Sequence, residues 1–194
     1  MALFPSTPSD AVRAAIAMVA QAREAGAREV QLGVGVHVGE VMMGTIGESE
    51  RFEATVISDA VNLTARLESM TKQIGCSIIV SGDVYAQLEP DLQQASRRLG
   101  IFTVKGKRKP APLYEVFAAD PEALREAKAS SRARFDEMLE AYRTARFERA
   151  LDLAGDLRDA HPEDGPANWW FLRLLREFTE DAPASGGVAH LDEK

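Results

Sequence analysis

The chain has 194 residues, 45% of them hydrophobic, enough to bury one ordinary core with a further piece beside it. Its net charge of -7 and isoelectric point near 5.1 reverse the basic footprint that neutralises a phosphate backbone, which argues against nucleic acid as a general partner. No apolar run approaches the roughly 20 residues that span a bilayer, no basic-then-apolar leader opens the chain, and the single Cys76 cannot close an internal disulfide, so a cytoplasmic, reducing location is expected.

From Ser9 to Ala25, Val12, Ile16, Val19 and Ala20 recur at helical spacing behind Pro8, which predicts an amphipathic helix begun by Ser9 or Asp10 and ended by Gly26. Val30 to Val38 alternates as VQLGVGVHV, Gly39-Glu40 interrupts, and Val41 to Ile46 resumes, predicting two strands joined as a hairpin. Phe52 to Ile57 predicts another short strand. Ser58-Asp59 offers a cap to a helix whose Leu63, Leu67, Met70 and Ile74 share one face. A strand over Ser77 to Ser81 follows, then a helix from Gly82 to Leu88 and strands near Ile101 to Lys105 and Leu113 to Phe117. Strands and helices mixed with hairpins predict an α+β layer.

After Asp120-Pro121 the strand signals stop. Phe135, Leu139 and Tyr142 form one helical stripe, Phe147, Ala150, Leu151, Ala154 and Leu157 a second, and Ala167 to Phe178 a third. The stretch FERALDLAGDLRDAHPEDGPANWW resembles the helix, proline turn and next helix of a tetratricopeptide-like unit. One unit cannot bury its own faces, since a solenoid needs about three repeats, so its apolar side is expected to pack on the first domain or on a protein partner. Residues 1–118, 121–178 and 179–194 are therefore read as a domain, a helical appendage and a disordered tail.

The chemistry is concentrated in GVGVHVGEVMMGTIGESERFEATVISDAVNLTARLESMTK, Gly33 to Lys72. Asn62 and Arg66 stand one helical turn apart beside the apolar stripe, so their side chains share a direction and can serve one ligand. An amide and a guanidinium so placed suit a sugar and a phosphate, whose oxygens match the guanidinium fork. On spacing alone, a solvated Asn and Arg is the commoner reading. His37 and Glu40 lack a third ligand for a metal, because His161 and His190 lie far along the chain. Gly33, Gly35, Gly39, Gly44 and Gly47 are followed by strands, which does not fit a dinucleotide fingerprint and points to tight turns and close backbone packing.

The whole segment closely resembles the signature of class III adenylyl and guanylyl cyclases, a glycine-rich hairpin, an Arg, then T-V-I-G-D-x-V-N-x-A-A-R-L-E, which stands here as Thr55 to Glu68. Ser58 replaces the usual Gly and Thr64 the usual Ala, and neither touches the polar pair. VKGKRKPAPLYEV, Val104 to Val116, is similar to the family's closing strands. The resemblance covers roughly residues 1–118 and implies a ferredoxin-like α+β fold, here partial, that works as a head-to-tail dimer with sites at the interface. It implies attack of the ribose 3'-hydroxyl on the α-phosphate of ATP, less readily GTP, giving a cyclic nucleotide for intracellular signalling and pyrophosphate. By position Asn62 orients the ribose, Arg66 stabilises charge on the α-phosphate, and Thr55 reads the base. Lys105 matches a lysine that reaches the terminal phosphates, and its Lys-Gly-Lys-Arg-Lys cluster serves equally well as a solvated loop.

Family members place two metal-binding aspartates upstream, the second ahead of a strand reading D-x-I-M-A-L-F, and Met1-Ala2-Leu3-Phe4-Pro5 resembles the end of that strand. Magnesium or manganese is implied for the complete domain, whereas Asp10 and Asp59 are placed as helix caps. The expectation is a truncated domain that binds no metal tightly and is inactive alone, acting as a homodimer or with a complete cyclase partner. The second expectation is a non-catalytic cyclase-like module that binds another protein through the helical appendage.

Overall fold

The first helix starts at a reciprocal cap. The Thr7 hydroxyl accepts from the Asp10 N–H at 3.2 Å while the Asp10 carboxylate accepts from the Thr7 N–H at 3.3 Å, ahead of α1 (Pro8–Glu24). Pro8 supplies a preset helical φ one residue earlier than expected, so Ser9 and Asp10 lie inside the first turn and are not the N-cap. Ser9 turns inward instead, and its hydroxyl accepts the Glu89 N–H at 3.1 Å. The structure is a computed structural model and describes residues 1–25, 32–46, 53–103, 110–179 and 188–190. Gly26, Gly47, Phe52 and Lys105 lie outside the described residues.

In chain order α1 is followed by β1 (Val34–Val36), β2 (Met42–Ile46), β3 (Glu53–Ile57), α2 (Asp59–Ile74), β4 (Ile78–Ser81) and two short helices, α3 (Gly82–Tyr85) and α4 (Pro90–Gln94). Then come β5 (Ser96–Thr103), β6 (Ala111–Val116), α5 (Glu122–Arg143), α6 (Phe147–Ala160), α7 (Gly165–Thr179) and β7 (Ala189–His190). The main sheet has the order β1-β4-β6-β5-β7, and β2 and β3 form a separate antiparallel ribbon. The mixture is α+β.

The expected hairpin between 30–38 and 41–46 is not formed. β1 runs parallel to β4, with Val34 opposite Ile78, and α2 makes the crossover between them. Past β1 the chain does not double back, because Gly39 lies against the first turn of α2, where an added Cβ would sit 2.7 Å from the Ala60 Cβ. β2 therefore finds its partner in β3, Met42 opposite Ile57. The helix expected from Gly82 to Leu88 stops at Tyr85, and Pro90 opens a second short helix. β5 begins at Ser96, five residues before the predicted start, because its Arg97 is buried with its charge paired. In the segment read as a disordered tail, Ala189–His190 pairs in parallel with β5, and the apolar Ala189 is buried there. Residues 180–187 and 191–194 lie outside the described residues.

Both faces of the sheet are covered. Ile78 and Val80 of β4 point one way, to Val12, Ala15 and Val19 of α1 and to Val84, Leu88 and Leu92. Ile79 points the other way, into a core that joins Leu63, Leu67, Met70 and Ile74 of α2 to Phe135, Met138 and Tyr142 of α5, Leu153 and Leu157 of α6, and Trp170 and Leu174 of α7. The helices after Pro121 thus share one core with the sheet and with α2.

A buried polar network ties the same parts together. On neighbouring strands Arg97 and Glu115 stand in register, and Arg97 Nε donates to Glu115 at 2.5 Å. Arg97 Nη2 donates to Asp164 at 2.6 Å, and Lys128 Nζ of α5 donates to Glu115 and Asp120 at 2.7 Å each. Arg23 of α1 reaches Asp120 at 3.0 Å. Burial by itself would raise the Glu115 pKa, but the charges of Arg97 and Lys128 outweigh it and hold the carboxyl below the usual glutamate range. For a lowered carboxyl, the stabilisation is present above the unfolded-state pKa and lost as pH falls through the folded value. The urea midpoint should therefore fall once the pH drops below the ordinary glutamate range. Lys128→Met should cost about 3–5 kcal/mol in the same urea titration at neutral pH, since it takes the shared cation from two buried carboxylates and leaves Glu115 with Arg97 alone and Asp120 with Arg23 alone.

Candidate active site

The helix that carries the polar pair is specified at both ends. Ser58 adopts an extended conformation, and its hydroxyl accepts from the N–H groups of Ala60 at 3.0 Å and Val61 at 3.3 Å. Gly75 closes the helix with φ of 80°, a left-handed conformation suited to glycine. Between them Leu63, Leu67, Met70 and Ile74 are all buried, as the spacing predicts. Asn62 is exposed and Arg66 half-buried on the flank of this stripe, and neither side chain is hydrogen bonded or ion paired to another described residue.

β1 approaches α2 at backbone distance. An added Cβ on Gly35 would lie 2.5 Å from both the Thr64 carbonyl oxygen and the Glu68 nitrogen, and one on Gly33 would lie 2.0 Å from the Thr71 hydroxyl. The expected close packing is therefore found at Gly33, Gly35 and Gly39, and it holds the very turn of α2 that bears Arg66. Gly44 sits in β2 opposite Thr55 of β3. The structure brings Asn62 and Arg66 together, sets the Thr55 backbone in the ribbon that leads into α2, and leaves Lys105 outside the described residues.

The carboxylates do not gather. Asp10 is held at its helix start by hydroxyl donors of Ser6 and Thr7, both at 2.8 Å, which lower its pKa, and Asp59 is the first residue of α2. His37 Nδ1 faces the Ser81 hydroxyl at 2.8 Å. Among the described residues no three His, Cys, Asp or Glu side chains are placed to share a metal ion, and Asp10 and Asp59 stand in the first turns of two different helices, so this pair does not fit two magnesium or manganese ions. Burial pushes the Cys76 thiol pKa up, which keeps it protonated and a poor nucleophile at neutral pH.

The buried charges at Arg97, Glu115, Lys128, Asp120 and Asp164 were not singled out from the sequence. The available signal was local and lay at Glu115, which interrupts the apolar run from Leu113 to Phe117, tolerable inside a sheet only when the charge meets a partner; Arg97, between Ser96 and Arg98, carries no such signal.

Residues 8–117 match the adenylate and guanylate cyclase catalytic domain, and the chain belongs to that family. It is 38% identical over 99 residues to an adenylate cyclase of Anabaena cylindrica, covering 50% of this chain and 20% of the relative. It is 28% identical over 189 residues to the terminal-differentiation specific adenylate cyclase of Dictyostelium discoideum, covering 92% of this chain and 9% of that protein. The chain thus spans a fifth or less of the length of these relatives. A bacterial light-regulated adenylyl cyclase of known structure superposes with a TM-score of 0.48 at 20% identity, over 64% of this chain and 39% of the other. The match to the Dictyostelium protein runs on into the helices after residue 117, beyond the family's catalytic segment.

Gly→Ala within a strand ordinarily stabilises slightly or is neutral, because it restricts the unfolded chain. Gly35→Ala should instead destabilise by about 1–3 kcal/mol in guanidinium unfolding, because the methyl group meets helix backbone that has no side chain to yield.

Proposed function

We propose that this chain supplies the ribose- and α-phosphate-contacting side of a nucleotidyl cyclase site, converting ATP, in preference to GTP, into a 3',5'-cyclic nucleotide and pyrophosphate. The observation that carries the reading is Asn62 and Arg66, without protein partners among the described residues and one turn apart on a helix held at both ends, inside the family's catalytic segment. In the reaction the ribose 3'-oxygen forms a bond to the α-phosphorus as the bond to the pyrophosphate oxygen breaks, and the 3'-hydroxyl proton is lost to solvent. Asn62 orients the ribose by hydrogen bonding, and Arg66 donates to the α-phosphate oxygens on which charge builds. The guanidinium keeps its charge throughout, so its contribution does not depend on a proton. Thr55 is assigned to the base and Lys105 to the terminal phosphates.

The divalent ions of the family's chemistry lack fitting ligands among the described residues. The proposal therefore places the metal-binding carboxylates on a complete cyclase partner and holds the 194-residue chain inactive alone. The reaction serves cytoplasmic signalling. A second reading, a non-catalytic module that binds a protein through its helices, is favoured by one feature: Leu172, Leu175 and Phe178 of α7 face solvent at 60%, 39% and 53% exposure.

The test mixes the purified chain with a cyclase that retains both metal-binding carboxylates but lacks its own counterpart of Arg66, and follows cyclic nucleotide by chromatography. Activity should appear on mixing with ATP and magnesium. Arg66→Ala in this chain should lower the rate by about 10²–10³-fold, as losing a charge-stabilising donor does. The thermal midpoint should move little, because the Arg66 side chain makes no hydrogen bond or ion pair to another described residue. No gain on mixing, or a gain that survives Arg66→Ala, would overturn the assignment.

A further inference from the structure

We infer that the turn between α6 and α7 positions α2, so that Asp164, Gly165 and Trp170 set where Asn62 and Arg66 stand. The coupling is read from packing alone, while its consequence for nucleotide chemistry rests on the cyclase reading.

α2 ends on α7 without a side chain between them. An added Cβ at Gly165 would lie 2.1 Å from the Gly75 carbonyl oxygen and 2.7 Å from its carbon, and one at Gly75 would lie 3.0 Å from the Gly165 Cα. This is backbone against backbone, a contact with no rotamer to absorb an error. The α7 side of the contact is in turn pinned to the sheet. Asp164, the residue before the helix, is buried and accepts from Arg97 of β5 at 2.6 Å. One turn into α7, the Trp170 indole N–H donates to the Leu99 carbonyl oxygen at 2.8 Å. Its ring lies over Gly100, which has φ of 139° at an irregularity in the β5–β6 pairing and where an added Cβ would sit 2.9 Å from Trp170 Cζ2. Three ties thus hold the start of α7 on β5, and the end of α2 rests against that start.

The polar pair sits 9 and 13 residues before Gly75, about 13–20 Å up the helix at 1.5 Å per residue. A helix moves as a rod, so a displacement at Gly75 is carried to Arg66 and Asn62. The opposite side of α2 cannot take it up, since Gly33 and Gly35 already place β1 at contact distance. The helices after Pro121 are by this account part of the seat of the candidate site.

The test places Gly165→Ala in the full chain and records the side-chain NMR signals of Asn62 Nδ2 and Arg66 Nε, with Arg13 Nε on α1 as the internal reference. The Asn62 and Arg66 signals should shift while Arg13 stays. In the mixing assay kcat should fall by about 10–100-fold with KM nearly unchanged, the cost of a misplaced catalytic group. Trp170→Phe keeps an aromatic ring but removes the indole donor and the ring carbon that lies against Gly100. It should move the same two signals by less, and it decides the matter if Gly165→Ala does not fold. Changes confined to α7 and Gly75, with Asn62 and Arg66 at their wild-type positions, would overturn the coupling. Shifted signals in a chain whose wild type gives no activity on mixing would uphold the coupling and remove the cyclase reading.

Discussion

Glu115 is the point on which the parts of this molecule are hung. It lies on β6, the middle strand of the sheet, fully buried, with Arg97 on one side and Lys128 on the other. Through Arg97 the network reaches Asp164 between α6 and α7, and through Lys128 it reaches Asp120, where Arg23 of α1 joins. A buried ion network is weak grounds for high stability, because the cost of taking each charge out of water rivals the attraction between them. Its effect here is to select one arrangement. α5 must enter at the height that brings Lys128 to Glu115, and the α6–α7 turn must present Asp164 to Arg97, or charges are left buried and alone.

Around that network the apolar contacts can be unspecific in detail and still assemble one structure. Phe135 lies under the Arg97 guanidinium, 4.1 Å from its centre, so the same cation that pairs two carboxylates also stacks on the core of α5. Trp170 meets Tyr142 edge-on and also satisfies its N–H on the sheet. α2 is caught between these helices and β1. Its inner stripe is spent on the core, which leaves Asn62 and Arg66 on its flank, where the proposed function places the ribose and the α-phosphate. On that reading site and scaffold occupy two sides of one helix.

Much of this was readable from the chain itself. The α2 stripe, the Ser58 cap and the Asn62–Arg66 pair are local patterns, each complete within a few turns, and each was found where the spacing placed it. The family membership was carried by residues in fixed order between Gly33 and Glu68. The cap of α1 was misplaced by two or three residues, since Thr7, Ser9 and Asp10 are all able caps and only the Pro8 geometry chooses among them. The partner of β2 was misread because Gly39 looks like a turn in the sequence, whereas in the fold it marks close passage beside α2.

Helical periods, caps and the polar pair follow from local order in the chain, because these depend on neighbours within one turn or one motif. That β1 pairs with β4, that Arg97, Glu115 and Lys128 are interior, and that Gly165 abuts Gly75 emerges only when the elements are packed. A strand's edge hydrogen bonds are satisfied by any strand that arrives in register, and a charge is buried only if its partner is brought from elsewhere in the chain. Lys128 lies 13 positions from Glu115, and Asp164 lies 67 from Arg97. Those separations are closed by packing, which no local pattern records.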